Sequence, residues 1–296
     1  MSKYYTLLVG GVISLHHPSV RLSTLRIFKE LGADVWEIMA YSGNLDPVFE
    51  RLANEEVSIL KTAADLSVAE ELGNDLVVVG SESYENMIWV QNYLARHPEA
   101  MEKVNSALAE GGKREYKGKL NVRYYLDVFF EDFGLEAIES CVIDKKELKV
   151  ATHGCRMLKD KEGKGGHHRL DLMDKLVEIT GAKIVNYGCK YLDCGYPSTK
   201  VSHRYAYLER LAPNLDAMVR AGAEVAVLGS SMCLTHFING KAALEDYGRI
   251  YTLPCLHLTE LLALSFGMRP KEMELKSGRL VTGSFAEKIW KEEVGF

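Results

Sequence analysis

The chain has 296 residues, 47% of them hydrophobic and 26% charged, the balance of a soluble globular protein with a sizeable core. A net charge of −5, from 36 basic and 41 acidic side chains, argues against general nucleic-acid binding, which needs a positive field. No apolar run approaches the ~20 residues of a membrane-spanning helix, and the length suits one large domain or two small ones.

The opening MSKYYTLLVGGVISLHH has a short apolar core, one Lys ahead of it and no small-residue cleavage site. It reads as a first strand and not as a signal peptide, so a cytoplasmic protein is expected. In that compartment disulfides are a poor default for cysteines, and metal or redox chemistry is a better one.

The strand TLLVGG at 6–11 ends at glycine. LSTLRIFKELGADVWEI then reads as a helix stopped at Gly-Ala and followed by a second strand. A glycine turn follows, AYSGN at 40–44. Beyond it DPVFERLANEEVSILKTAADLSVAEELGNDLVVVGSES predicts helix and a third strand, and NVRYYLDVFFEDFG predicts an amphipathic closing segment. The second half repeats the outline. LKVATHGC at 148–155 is a strand ending at glycine, LDLMDKLVEITGAKIVNY is helix and strand, and LDCGY at 192–196 is the turn. HRYAYLERLAPNLDAMVRAGAEVAVLGSSMC and CLHLTELLALSFG complete it. The strand ends VVVGS and AVLGS lie 149 residues apart. The pattern is an internal duplication of two α/β units, predicted over 1–145 and 146–296.

The six cysteines, Cys141, Cys155, Cys189, Cys194, Cys233 and Cys255, all follow residue 140. Superposing the halves sets Gly11 opposite Cys155, Tyr41-Ser42-Gly43 opposite Asp193-Cys194-Gly195, and Ser81 and Tyr84 opposite Ser230 and Cys233. Cys155, Cys194 and Cys233 each follow an apolar strand, at the carboxyl end where α/β units gather functional loops. Three thiolates there suit an iron–sulfur centre or zinc. Cys141 and Cys255 sit in apolar, strand-like contexts and read as structural. His167-His168 follow a Gly/Lys-rich loop and read as a solvated loop before a helix, one that could fold over the cluster mouth; His16-His17, in a similar spot after the first strand, read as structural, and His257 is expected to satisfy a backbone group. Tyr187, Tyr191 and Tyr196 surround the Cys189–Cys194 turn, as packing or as a shield. REYKGKLNVRYY at 114–125 reads as a solvated face with buried rings. Neither a GxGxxG nor a Walker pattern occurs, so no nucleotide cofactor is expected.

The second half resembles the cysteine-rich CCG domain of the B-subunit family of heterodisulfide reductases, whose outline is C…CCG…CxxC. ATHGCRMLKD supplies Cys155, LDCGYP stands where CCG stands, GSSMCLTH stands where the PCxxC stands, and PCLHLTELLALSFGM resembles the segment that closes such domains. The first half matches the same template without cysteines. The resemblance implies two pseudo-symmetric α/β domains and an iron–sulfur subunit of an oxidoreductase that forms or reduces disulfides. Asp193 replaces the first Cys of CCG, and Ser230 the first of CxxC, so three of five family ligands remain. That set implies a smaller centre held by Cys155, Cys194 and Cys233: [4Fe–4S] first, or [2Fe–2S] or [3Fe–4S]. Asp193, Cys189, Ser230 and His153 are candidates for a fourth ligand. The missing cysteines resemble those of the second B-type subunit of sulfur-oxidising heterodisulfide-reductase-like complexes. Its expected partners are A-type and C-type subunits, a full B-type paralogue and a lipoate-binding or sulfur-carrier protein. Two other readings stand beside this one: a structural zinc protein used for interaction, and a metal-free thiol protein in which Cys189 and Cys194 exchange disulfides.

Overall fold

The computed structural model describes residues 3–38, 42, 47–154, 158, 168–275, 285, 288 and 289. They form two compact units, Met1–Leu15 with Gly32–Val128, and His16–Leu31 with Phe129–Phe296. The fold is α/β, with one four-stranded parallel sheet in each unit.

In the first unit β1 (Lys3–Leu8), β2 (Ala33–Glu37), β3 (Leu76–Val78) and β4 (Val122–Tyr124) lie in the order β2-β1-β3-β4. In the second, β5 (Lys149–His153), β6 (Lys183–Ile184), β7 (Val225–Leu228) and β8 (Cys255–His257) lie in the same order, β6-β5-β7-β8. The inner strands are uninterrupted apolar runs, LVV in β3 and VAVL in β7, and every residue of both is buried. A parallel sheet covered by helices on both faces demands that composition. The helix before each second strand stops at a glycine of positive φ, Gly32 at +70° and Gly181 at +87°.

Helix Pro18–Glu30 begins with proline at its first turn, where the missing N–H costs nothing. Although its sequence lies in the first half, it packs in the second unit against helix Leu258–Ser265. Ser19 Oγ donates to Glu260 Oε1 (2.5 Å), and Ser23 Oγ donates to Thr259 Oγ1 (2.9 Å). His17 Nε2 lies 2.8 Å from Thr235 Oγ1, the packing role expected of it. His257 caps helix Leu258–Ser265: its Nδ1 accepts from Thr259 N, and its own N–H donates to Glu260 Oε2 at 2.7 Å. In the 114–125 stretch, Tyr116, Tyr124 and Tyr125 are fully buried while Lys117 and Lys119 are exposed. Among the described residues, no helix is long and apolar enough to cross a membrane.

Candidate metal centre

Three elements of the second unit end at one point. β5 ends at His153, which pairs in register with Leu228, the last residue of β7. The chain leaves β7 through Gly229 and Ser230 into helix Ser231–Glu245, with Cys233 as its third residue. β6 runs into the loop that carries Cys194. All three side chains are buried, and His153, Cys194 and Cys233 can bring one ligand atom each within 4.8 Å of one another. The two sulfurs are 3.9 Å apart.

Local chemistry fixes each donor. Ser230 Oγ accepts from the backbone N–H of Cys233 (3.5 Å), the usual cap of a helix start. Cys233 therefore sits in the first turn of that helix. The Cys194 turn is held from both sides. Asp193 Oδ1 accepts from Gly195 N at 2.7 Å, and His236 Nε2 donates to the Cys194 carbonyl at 2.9 Å. Gly195 has φ +90°, and a Cβ there would lie 2.5 Å from Arg210 Cβ. The backbone thus approaches helical residues so closely that only glycine fits. His236 stacks on Tyr207 (5.3 Å, 23°), which belongs to the π-helical stretch Tyr205–Leu211. That stretch precedes Pro213, which has no N–H to continue a regular ladder. Under β5, Thr152 Oγ1 donates to Asp174 Oδ1 (2.7 Å), and Asp174 pairs with Lys190 of the loop.

Electrostatics favour one thiolate. The hydrogen bond from the Cys233 thiol pulls the Cys194 pKa well below the ordinary thiol range, burial opposes this, and His153 lowers it further. Burial pushes the His236 imidazole down, so it is neutral and its Nε2–H serves the Cys194 carbonyl. Burial is also the main cause that raises the Tyr187 phenol, followed by the nearby Cys189.

Of the candidate ligands, the structure brings together Cys194, Cys233 and His153. Asp193 braces the turn, Ser230 caps the helix, and half-buried Cys189 is not among the gathered donors. Cys155 lies outside the described residues, as does His167; His168 opens helix His168–Ile179 and is exposed. Cys255 is buried on β8, with its Sγ 3.7 Å from Leu253 O. Cys141 differs from its strand-like reading: it ends helix Gly134–Ser140, with its Sγ 3.5 Å from Ala137 O. His236 escaped the sequence reading, although its place three residues after Cys233 puts both on one helix face.

The first unit lacks the donors at the matching positions. Val9 stands opposite His153 and Tyr84 opposite Cys233. Val9 is buried, and the Tyr84 ring lies against Tyr124 at 5.2 Å. Ser42, opposite Cys194, gives its N–H and Oγ–H to Asp65 at 2.8 and 2.7 Å.

No protein-family model matches the chain. Over 97% of its length, and 97% of the relative's, the chain is 28% identical to the B subunit of the ferredoxin/F(420)H(2)-dependent CoB-CoM heterodisulfide reductase of Methanosarcina acetivorans. It is 26% identical to the B subunit of the ferredoxin:CoB-CoM heterodisulfide reductase of Methanosarcina mazei, over 98% of both chains. A protein of Archaeoglobus profundus, named as like the B subunit of heterodisulfide reductase, is 27% identical over 91% of this chain and 92% of its own. Among solved structures, a hypothetical protein from Helicobacter pylori matches with a TM-score of 0.67 at 16% identity, a likeness of fold alone. It covers 92% of this chain, which spans about half of that protein, 51%.

Proposed function

Since the chain is related along nearly its whole length to the B subunit of heterodisulfide reductase, we propose that it is a metal-bearing, electron-transferring subunit of a heterodisulfide-reductase-like complex. The observation that carries this reading is the buried meeting of Cys194, Cys233 and His153 at the strand ends. The relatives' names join ferredoxin to a CoB–CoM heterodisulfide, so the same class of work is assigned here: electrons passed to or from a sulfur–sulfur bond. Reducing a disulfide takes two electrons and two protons and yields two thiols. A bound iron–sulfur centre would supply one-electron storage that no side chain offers. The chain's own residues hold it with thiolates and keep water away by burial, which tunes its potential.

Cys155, Cys194 and Cys233 are the proposed sulfur ligands. The 3.9 Å between Cys194 and Cys233 bears on the type of centre. Two thiolates at 2.3 Å on one tetrahedral metal atom lie about 3.8 Å apart. In a four-iron cubane each cysteine holds a different iron, so its sulfurs stand farther apart. With that spacing Cys194 and Cys233 would together hold a small iron–sulfur centre, which would supply one-electron transfer. The spacing equally favours a second reading, a single structural zinc in a site used for assembly. The proposed partners are the other subunits of such a complex, the A and C types and a full B-type paralogue, with a lipoate-binding or sulfur-carrier protein as the source or acceptor of sulfur. Disulfide reduction and the oxidation of two thiols to a disulfide are one two-electron, two-proton reaction run in opposite directions.

Anaerobic purification with metal and acid-labile sulfide analysis, and a visible spectrum before and after dithionite, tests this. Iron with sulfide and a bleachable band near ~400 nm supports the redox centre. A colourless protein with one zinc per chain moves the conclusion to the structural metal, and a protein with no metal sinks both in favour of thiol chemistry.

A further inference from the structure

The thiols have a nitrogen neighbour whose protonation is fixed by its surroundings. Tyr187 Oη lies 2.9 Å from the Thr152 carbonyl oxygen and 3.2 Å from His153 Nδ1. A phenol has one proton, and a carbonyl oxygen has none to give. If that proton pointed at Nδ1, two oxygens would face each other at 2.9 Å with nothing between them. The proton therefore goes to Thr152, and the Tyr187 oxygen accepts from His153. So Nδ1 carries a hydrogen, and in the neutral imidazole Nε2 presents a bare lone pair.

That lone pair is buried. His153 is 0% exposed, its Nε2 meets no group at hydrogen-bond geometry, and its ring acts on the Cys194 thiol beside it. The Phe237 ring walls it at 5.2 Å between centroids. Leaving a buried acceptor unmet is costly, and the two sulfurs lie within 4.8 Å of a ring nitrogen of this histidine. One species satisfies all three electron-pair donors at once: a transition-metal ion of borderline softness, such as iron or zinc.

Resting on the metal-bearing reading above, we infer that His153 Nε2 is itself a ligand, making a mixed nitrogen–sulfur site. Tyr187 is the positioning residue that holds its tautomer and ring. The nitrogen comes from β5 and the sulfurs from the Cys194 loop and helix Ser231–Glu245, so one ion ties three elements together. Histidine ligands in metal sites commonly have such an oxygen partner on the second ring nitrogen. Here the partner is a phenol already committed to the backbone, so it can only accept.

The full chain, purified anaerobically and loaded with zinc as the probe, is examined by X-ray absorption at the zinc edge. Wild type is expected to give sulfur scattering together with the outer-shell scattering of an imidazole ring. His153→Gln keeps the volume and is expected to keep the sulfur signal and lose the imidazole. Tyr187→Phe is expected to keep both signals at saturating zinc while binding about 10–100-fold more weakly in chelator competition. Circular dichroism checks that each variant folds. Wild-type zinc with sulfur scattering alone overturns the nitrogen ligand and leaves the metal-bearing reading standing. A wild type that takes up no metal, iron included, overturns both. A Tyr187→Phe protein with unchanged affinity removes the positioning role even if His153→Gln behaves as expected.

Discussion

Cys194 and Cys233, 39 residues apart in sequence, present their sulfurs 3.9 Å apart in a pocket closed to solvent. Serine at either position keeps the size and removes the soft donor. Cys194→Ser and Cys233→Ser are each expected to lower metal content to below about a tenth of wild type, with unchanged far-ultraviolet dichroism. Metal analysis of anaerobic preparations checks this. Full occupancy in either variant would place the centre elsewhere.

Ser230 sits where the family template has a cysteine, so it is a candidate ligand by sequence. Its hydroxyl already accepts from Cys233 N–H as a helix cap. Ser230→Ala is therefore expected to cost about 1 kcal/mol of stability and to leave metal stoichiometry alone. Asp193→Asn keeps an oxygen for Gly195 N and should likewise leave any visible spectrum unchanged. A spectral change in either variant would return that residue to the ligand set.

The backbone at Gly195 allows no side chain. With φ at +90° and Arg210 Cβ 2.5 Å from the position of an added Cβ, alanine must push the Cys194 turn away from the π-helical stretch Tyr205–Leu211. Gly195→Ala is expected to destabilise by about 1–3 kcal/mol and to weaken metal binding. Denaturant unfolding and chelator competition measure the two effects separately. Loss of stability without loss of affinity would mean that the turn is not what sets the Cys194 sulfur.

The repeat was legible because parallel strands must be apolar on both faces, and LVV and VAVL carry that signal without ambiguity. Cys194 and Cys233 were legible for a related reason: strand ends followed by glycine mark where loops converge. His153 was visible only as one of four alternatives. A histidine at a strand end reads the same whether its ring faces metal, water or a carbonyl, and Tyr187, which decides, is 34 residues away. His236 was missed because its bond runs to the backbone of Cys194, which no side-chain pattern reveals. The packing of Pro18–Glu30 in the second unit was hidden for a similar reason, since Ser19 and Ser23 look like surface serines until Glu260 and Thr259 face them.

Asp65 gives the first unit a pH dependence. Burial, the largest cause, raises its carboxyl pKa, against the two hydrogen bonds from Ser42 and the nearby Lys113 and Lys61. A carboxyl with a raised folded pKa binds its proton more tightly folded than unfolded. Its ionisation therefore removes stability as pH climbs from the unfolded Asp value, ~3.9, through the raised one. Asparagine has no charge to desolvate, and it can accept from Ser42 N while its amide donates to Ser42 Oγ. Asp65→Asn is expected to melt higher than wild type at neutral pH, with the gap closing below about pH 4. Thermal unfolding at both pH values checks it, and a variant less stable at neutral pH would mean that the Ser42 bonds outweigh burial.

His236 offers the sharpest separation of packing from positioning. Its ring stacks on Tyr207, and its Nε2–H holds the Cys194 carbonyl at 2.9 Å. Phenylalanine keeps the stack and removes the donor. His236→Phe should therefore leave a buried carbonyl unmet, at about 1–3 kcal/mol. It should also loosen the sulfur's support, lowering metal affinity by about 10–100-fold. Glutamine reverses the trade: its amide can reach the carbonyl, but it cannot stack. His236→Gln is expected to retain affinity near wild type while losing stability. If His236→Phe binds metal as tightly as wild type, the carbonyl bond does not position Cys194. If both variants lose affinity equally, the aromatic stack and the hydrogen bond act as one support.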